Sequence, residues 1–178
     1  MDPVVLFSRS AEGAAALART VGPAQRSLPT PCSAWDVDAL LDHMAGGMAY
    51  LHGALGTDGS GAPAWPDAAA VAACVDALGQ PGALEQRCTS PAGFEWSVAE
   101  AAAGTAMDQL VHTWDLAVAL DADRRLDPEL AAAVAAMFLP AMPEVGRQAG
   151  FVGPEVEVPV GASDQDRLLG AMGRDPSR

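Results

Sequence analysis

Residues 97–121, SVAEAAAGTAMDQLVHTWDLAVALD, decide the fold class. Ser97 and Glu100 have the S-x-x-E spacing of a capping box, in which each side chain satisfies a backbone N–H at a helix start. The segment predicts an amphipathic helix running through His112 to about Asp121, with the imidazole on a face filled by Leu, Ala, Val and Met. Asp108 stands four residues before His112, so at about 100° per residue the two side chains lie about 40° apart, one turn from each other. Asp115 falls within about 60° of the same arc. An Asp–His pair one turn apart, joined by a His from another helix, makes a three-ligand metal set with an open position.

That other His is sought in residues 30–44, TPCSAWDVDALLDHM. Asp36 can cap a helix running to about Leu55, which places His43 on its apolar face. Asp36 and Tyr50, each seven residues from His43, share its side. His52 is nine residues away, about 180° around, and cannot join the same ion inside a bundle. Either Asp108 or Asp115 could reach a metal held by His112, or one could orient the imidazole through a hydrogen bond. A buried Asp–His hydrogen bond would also satisfy the spacing without a metal. Trp35 and Trp114 read as packing anchors. Cys32 lies inside this motif, beside the entrance of the candidate site, but has no base or cation next to it in sequence and reads as packing under the helix start.

Working outward, a 178-residue chain with 50% hydrophobic but 5% aromatic residues must build its core from Ala, Leu and Val. Alanine favours closely packed helices over strands. The 23 acidic against 10 basic residues give a formal charge of −13, which repels phosphate backbones and anionic membranes, so neither nucleic acid nor membrane is an expected partner. Cys32, Cys74 and Cys88 are odd in number and lack C-x-x-C spacing, which predicts reduced thiols and a cytoplasmic setting. No signal-peptide pattern opens the chain, and no uncharged apolar run of membrane-spanning length follows.

The remaining segments predict a helix over 3–20, with Val4, Leu6, Phe7, Ala14, Leu17 and Ala18 inward. A Pro-rich connector over 21–33 and a surface loop over 56–66 are expected to flank the second helix. A third helix is expected over 67–78, and a hairpin-like or extended excursion over 83–96. Asp127-Pro128-Glu129 opens a helix that Pro140 or Pro143 kinks or ends near 142–146. An alternating run over 156–160 and a short capped helix over 163–172 close the chain. With no repeat and no low-complexity linker, residues 1–178 are expected to form a single domain.

The run Thr30-Pro31-Cys32-x-x-Trp35-x-Val37-x-x-Leu40-x-x-His43, with Val111-His112-x-Trp114-Asp115-Leu116-Ala117, resembles the mycothiol-dependent maleylpyruvate isomerase N-terminal family of the DinB-like superfamily. The closing DRLLGAMGRDP is similar to the end of a short, single-domain branch, so the resemblance extends from about residue 5 onward. It implies an all-α, up-down-down-up four-helix bundle with a small C-terminal appendage. It further implies a divalent metal held by His43, Asp108 and His112, with zinc first and nickel or iron also fitting two imidazoles and a carboxylate. The isomerase has Glu where Asp108 stands, and it carries a further C-terminal domain that has no counterpart before residue 178. Metal binding therefore transfers better than isomerisation of maleylpyruvate.

The expectation that follows is a mycothiol-dependent transferase or isomerase acting on a small electrophile, with Asp115 orienting a ligand or serving as an acid/base group. Arg87, Arg124 and Arg125 are candidate anion contacts. One alternative is a non-catalytic small-molecule-binding or accessory bundle with a vestigial site. Another is a metal-dependent hydrolase using water in place of the thiol. An open apolar bundle face would suit a homodimer.

Overall fold

The computed structural model describes residues 1–57 and 63–178. Among them the protein is mainly α-helical, as expected, and its contacts divide it into two compact units, Met1–Arg124 and Arg125–Arg178. The first unit holds α1 (Pro3–Ala18), α2 (Val37–Ala54), α3 (Ala68–Leu78), a hairpin of β1 (Arg87–Thr89) and β2 (Glu95–Ser97), and α4 (Val98–Ala119). The second holds α5 (Pro128–Phe138), α6 (Met142–Gln148) and α7 (Asp164–Ala171).

Helix starts follow the side chains able to satisfy free N–H groups. Asp2 accepts from the Val4 and Val5 amides, Asp36 from Ala39, and Asp67 from Ala69. The capping box forms in full: Glu100 N–H donates to Ser97 Oγ at 3.2 Å, and Ser97 N–H donates to Glu100 Oε2 at 2.6 Å. The Glu100 carboxyl is held low chiefly by that backbone hydrogen bond.

In the first unit α4 packs against α1 and α2, and α3 packs against α1 and α2, so the four helices close a ring in the order α1–α4–α2–α3. Helix α4 is not amphipathic as its sequence pattern suggested. Val98, Ala101, Ala102, Ala106, Leu110, Val111, Trp114 and Asp115 are all buried, and they lie all round the helix. A helix covered on every side belongs in the middle of a core. Its alanines suit that place, because short side chains let neighbouring helices approach closely, and α1 brings Ala11, Ala14, Ala15 and Ala18 buried as well. Val4 and Leu17, expected inward on α1, are only half-buried.

The excursion over 83–96 is an antiparallel hairpin pairing Arg87 with Ser97, Cys88 with Trp96, and Thr89 with Glu95. Gly93 turns it at φ 88°, a conformation glycine adopts without a Cβ penalty. Residues 58–62 of the expected loop over 56–66 lie outside the described residues.

In the second unit the expected long helix is two helices bent by 68°, since α5 ends at Phe138 and Pro143 sits in the first turn of α6. The run over 156–160 finds no strand partner among the described residues; Val156 instead donates its N–H to the Gly170 carbonyl at 2.9 Å. A Cβ on Gly170 would meet the Val156 oxygen at 2.5 Å, so this contact requires glycine. No single helix among the described residues is long and apolar enough to cross a membrane; the bent α5–α6 pair reaches the threshold by length and composition only.

Candidate metal centre

Helix α2 brings His43, and α4 brings Asp108 and His112, to one place in the first unit. Asp108 Oδ1 lies 3.1 Å from His43 Nε2 and 3.3 Å from His112 Nε2. Ligand atoms of all three residues fall within 4.8 Å of one another. Metal–ligand bonds of about 2.0–2.2 Å at tetrahedral angles separate neighbouring N and O atoms by about 3.4 Å. The trio is therefore spaced almost as a bound divalent ion would require, and its donor set suits one. The side chains of His43 and Asp108 are 38% and 30% exposed, so the cluster opens to solvent on their side.

The opposite side is closed. His112 Nδ1 donates to Asp115 Oδ2 at 2.8 Å, and Asp115 has no exposed surface. This bond turns Nε2 toward Asp108 and fixes the ring. The same Oδ2 accepts the thiol proton of Cys32 at 3.3 Å. Trp35 covers both imidazoles, with its ring centroid 4.6 Å from that of His43 and 5.6 Å from that of His112.

Without a metal, burial acts to raise the Asp108 carboxyl, but the neighbouring His112 and His43 rings outweigh it and hold it far below the ordinary range. Burial likewise opposes charging His112, yet Asp108, with help from Asp115 and Cys32, pushes its pKa well above the usual value. Asp108 and His112 thus each favour the other's charged form.

Cys32 and Trp35 correct the sequence reading. Neither merely packs: both stand at the centre, brought there by a tight turn in the Pro-rich connector. Thr30 Oγ1 donates to the Trp35 carbonyl at 2.8 Å, Trp35 N–H donates to the Cys32 carbonyl at 2.8 Å, and Pro29 bridges Asp36. Trp114 is a core anchor, 1% exposed.

The other candidates lie elsewhere. Asp36 caps α2. Tyr50 accepts from Trp96 Nε1 at 2.7 Å and donates to the Thr89 carbonyl at 3.0 Å, which ties the hairpin to α2; burial foremost pushes its pKa up to about 12. His52 pairs with Cys74 and Thr57. Arg87 faces Glu100, Arg124 faces Asp121, and Arg125 begins the second unit.

Gln109 is a participant that periodicity could not flag. Wholly buried on α4, it donates from Nε2 to the Met44 carbonyl at 2.8 Å, next to His43, and so pins the two ligand-bearing helices together. Gly47 faces the same contact: a Cβ there would touch Gln109 Nε2 at 3.5 Å and Asp108 Oδ2 at 3.7 Å, both ordinary packing distances.

Over 137 residues the chain is 34% identical to the uncharacterized protein MT0763 of Mycobacterium tuberculosis strain CDC 1551, covering 74% of each chain. The uncharacterized protein Rv0738 of strain H37Rv matches equally, 34% identical over 137 residues and 74% of each chain. The chain belongs to their family. Both relatives are named without an activity, so membership of their family leaves the chemistry to be argued from the centre itself. No protein-family model matches the chain. No solved structure matches it.

Proposed function

We propose that this protein is a divalent-metal protein of DinB-like architecture whose ion, zinc in the first instance, activates a low-molecular-weight thiol such as mycothiol for transfer to, or isomerisation of, a small electrophile. The carrying observation is the spacing of His43 Nε2, Asp108 Oδ1 and His112 Nε2, close to that of a tetrahedral metal centre. The sequence resemblance supports the same three residues.

Two neutral imidazoles and one carboxylate leave a divalent ion with one uncompensated positive charge, which favours an anionic fourth ligand over water. When bound, the ion supplies the Lewis acidity that lets a thiol ionise near neutral pH. Asp115 holds the His112 proton on Nδ1 and keeps Nε2 available for the ion. Trp35 and the buried Asp115 wall off one side, so thiol and electrophile approach past the exposed edges of His43 and Asp108. Gly47 lies beside Asp108, its Cβ position 3.7 Å from Oδ2, and adds no side chain there. Cys32, Cys74 and Cys88 form no disulfide, which suits the reducing cytoplasm this reading requires.

A metal-free reading rests on the same distances, since 3.1 and 3.3 Å also suit hydrogen bonds within a protonated His–Asp–His triad of an accessory bundle. Elemental analysis of the purified protein beside a His43→Ala/His112→Ala variant separates the two. About one equivalent of a transition metal, absent from the variant, supports the proposal; none after reconstitution overturns it. Turnover of an electrophile only when thiol is added supports thiol chemistry, whereas turnover with water alone would replace it with hydrolysis.

A further inference from the structure

We propose that Cys32, Asp115 and the Nδ1 nitrogen of His112 form a second, thiophilic metal site, and that the His112 ring serves one of the two sites at a time. Asp115 Oδ2 is the shared corner, 2.8 Å from His112 Nδ1 and 3.3 Å from Cys32 Sγ, with the three ligand atoms within 4.8 Å of one another. Bond lengths of about 2.0–2.3 Å put such N···O and S···O pairs about 3.4–3.6 Å apart, so binding opens the trio by about half an ångström. Cys32 lies on a connector rather than within a helix, which makes that shift small for the fold.

Charge and ligand chemistry distinguish this inner site from the outer one. A thiolate and a carboxylate neutralise a divalent ion completely, which is what a site enclosing a wholly buried carboxylate requires. The outer set of His43, Asp108 and His112 keeps one positive charge and faces solvent. It has no sulfur, whereas the inner site offers the soft donor that cadmium and cuprous ions prefer. On binding, the thiol proton of Cys32 leaves to solvent and an S–metal bond forms. His112 likewise gives up its Nδ1 proton to solvent and keeps a proton on Nε2, which faces Asp108 Oδ1 at 3.3 Å.

A neutral imidazole has one in-plane lone pair, so the tautomer that serves the inner ion withdraws His112 from the outer one. This exclusivity rests on the proposed outer centre; the inner site does not.

The test is titration of the metal-free protein with cadmium, read by the thiolate-to-metal charge-transfer band in the ultraviolet. The expected result is a band saturating near one equivalent, lost in Cys32→Ser but kept in Cys74→Ser and in His43→Ala. The serine can still donate to Asp115, and a thermal melt of that variant checks its fold. Absence of a band, or its survival in Cys32→Ser, overturns the inner site. For exclusivity, cadmium is added to zinc-loaded protein with a coloured zinc chelator present. Zinc release in step with the charge-transfer band is expected, and a band that grows while zinc stays bound overturns exclusivity. If the protein takes up no zinc but the band forms and depends on Cys32, the outer reading fails and the inner site stands.

Discussion

Asp115 and His112 stand three residues apart on α4 and meet at 2.8 Å between Oδ2 and Nδ1, with the carboxylate sealed from water. A buried carboxylate on the far nitrogen of a metal-binding imidazole fixes its tautomer and raises its basicity. Replacing Asp115 by Asn keeps an oxygen but removes the charge. We expect metal affinity to fall about 10–100-fold in competition with a chelator. Wild-type affinity in Asp115→Asn would remove Asp115 from this role.

His43 and His112 are equal as proposed ligands and unequal as structural residues. Their side chains are 38% and 8% exposed, and His112 has carboxylates on both nitrogens. With metal chelated, urea unfolding should show His112→Ala losing about 1–3 kcal/mol because a buried carboxylate loses a donor. His43→Ala should lose less than about 1 kcal/mol. Both variants should lose the metal. The reverse order of stability would contradict the assigned burial.

Two helical glycines should respond oppositely to alanine. A Cβ on Gly104 would come 2.8 Å from the Trp96 ring, whose indole N–H is tied to Tyr50. Crowding there should cost about 1–3 kcal/mol and outweigh the gain in helix propensity. Gly46 has open space around its Cβ position, so Gly46→Ala should stabilise α2 by up to about 1 kcal/mol. Denaturant midpoints of the two variants check both signs.

Burial pushes the Cys74 thiol from 9.0 up to about 11. The folded state therefore keeps a proton that the unfolded chain loses first. The stability this provides is complete below the unfolded pKa and drains away as pH rises toward the folded one, at up to about 1.4 kcal/mol per pH unit. Urea midpoints between pH 9 and 11 should fall more steeply for wild type than for Cys74→Ala. Parallel curves would show that the thiol titrates alike in both states.

The legible parts of this protein were those with local causes. Asp36, Asp67, Ser97 and Asp127 start their helices because an oxygen near a free N–H acts at short range. The one-turn spacing of Asp108 and His112 likewise survives into three dimensions, and the capped helix from Asp36 offered His43 as partner, in agreement with the motif resemblance. Cys32 and Trp35 were read as packing residues because the turn that sets them against Asp115 and the imidazoles carries no periodic signal. Helix α4 was read as one-sided because alanine counts toward both a surface and a core. The Gln109 contact with Met44 depends on how two helices approach, which no spacing within either one encodes.

The connector turn has a consequence for motion. Its hydrogen bonds, Val37 N–H to the Leu28 carbonyl at 3.0 Å among them, fasten residues 28–37 to the entry of α2 as one small latch. If the latch lifts, the indole leaves the imidazoles and the thiol leaves the carboxylate in the same step. Solvent then reaches the buried acid and the sulfur together, so exposure of the thiol to oxidants and loosening of an ion at the centre would share one opening rate. Amide exchange at Trp35 and Val37 would time both.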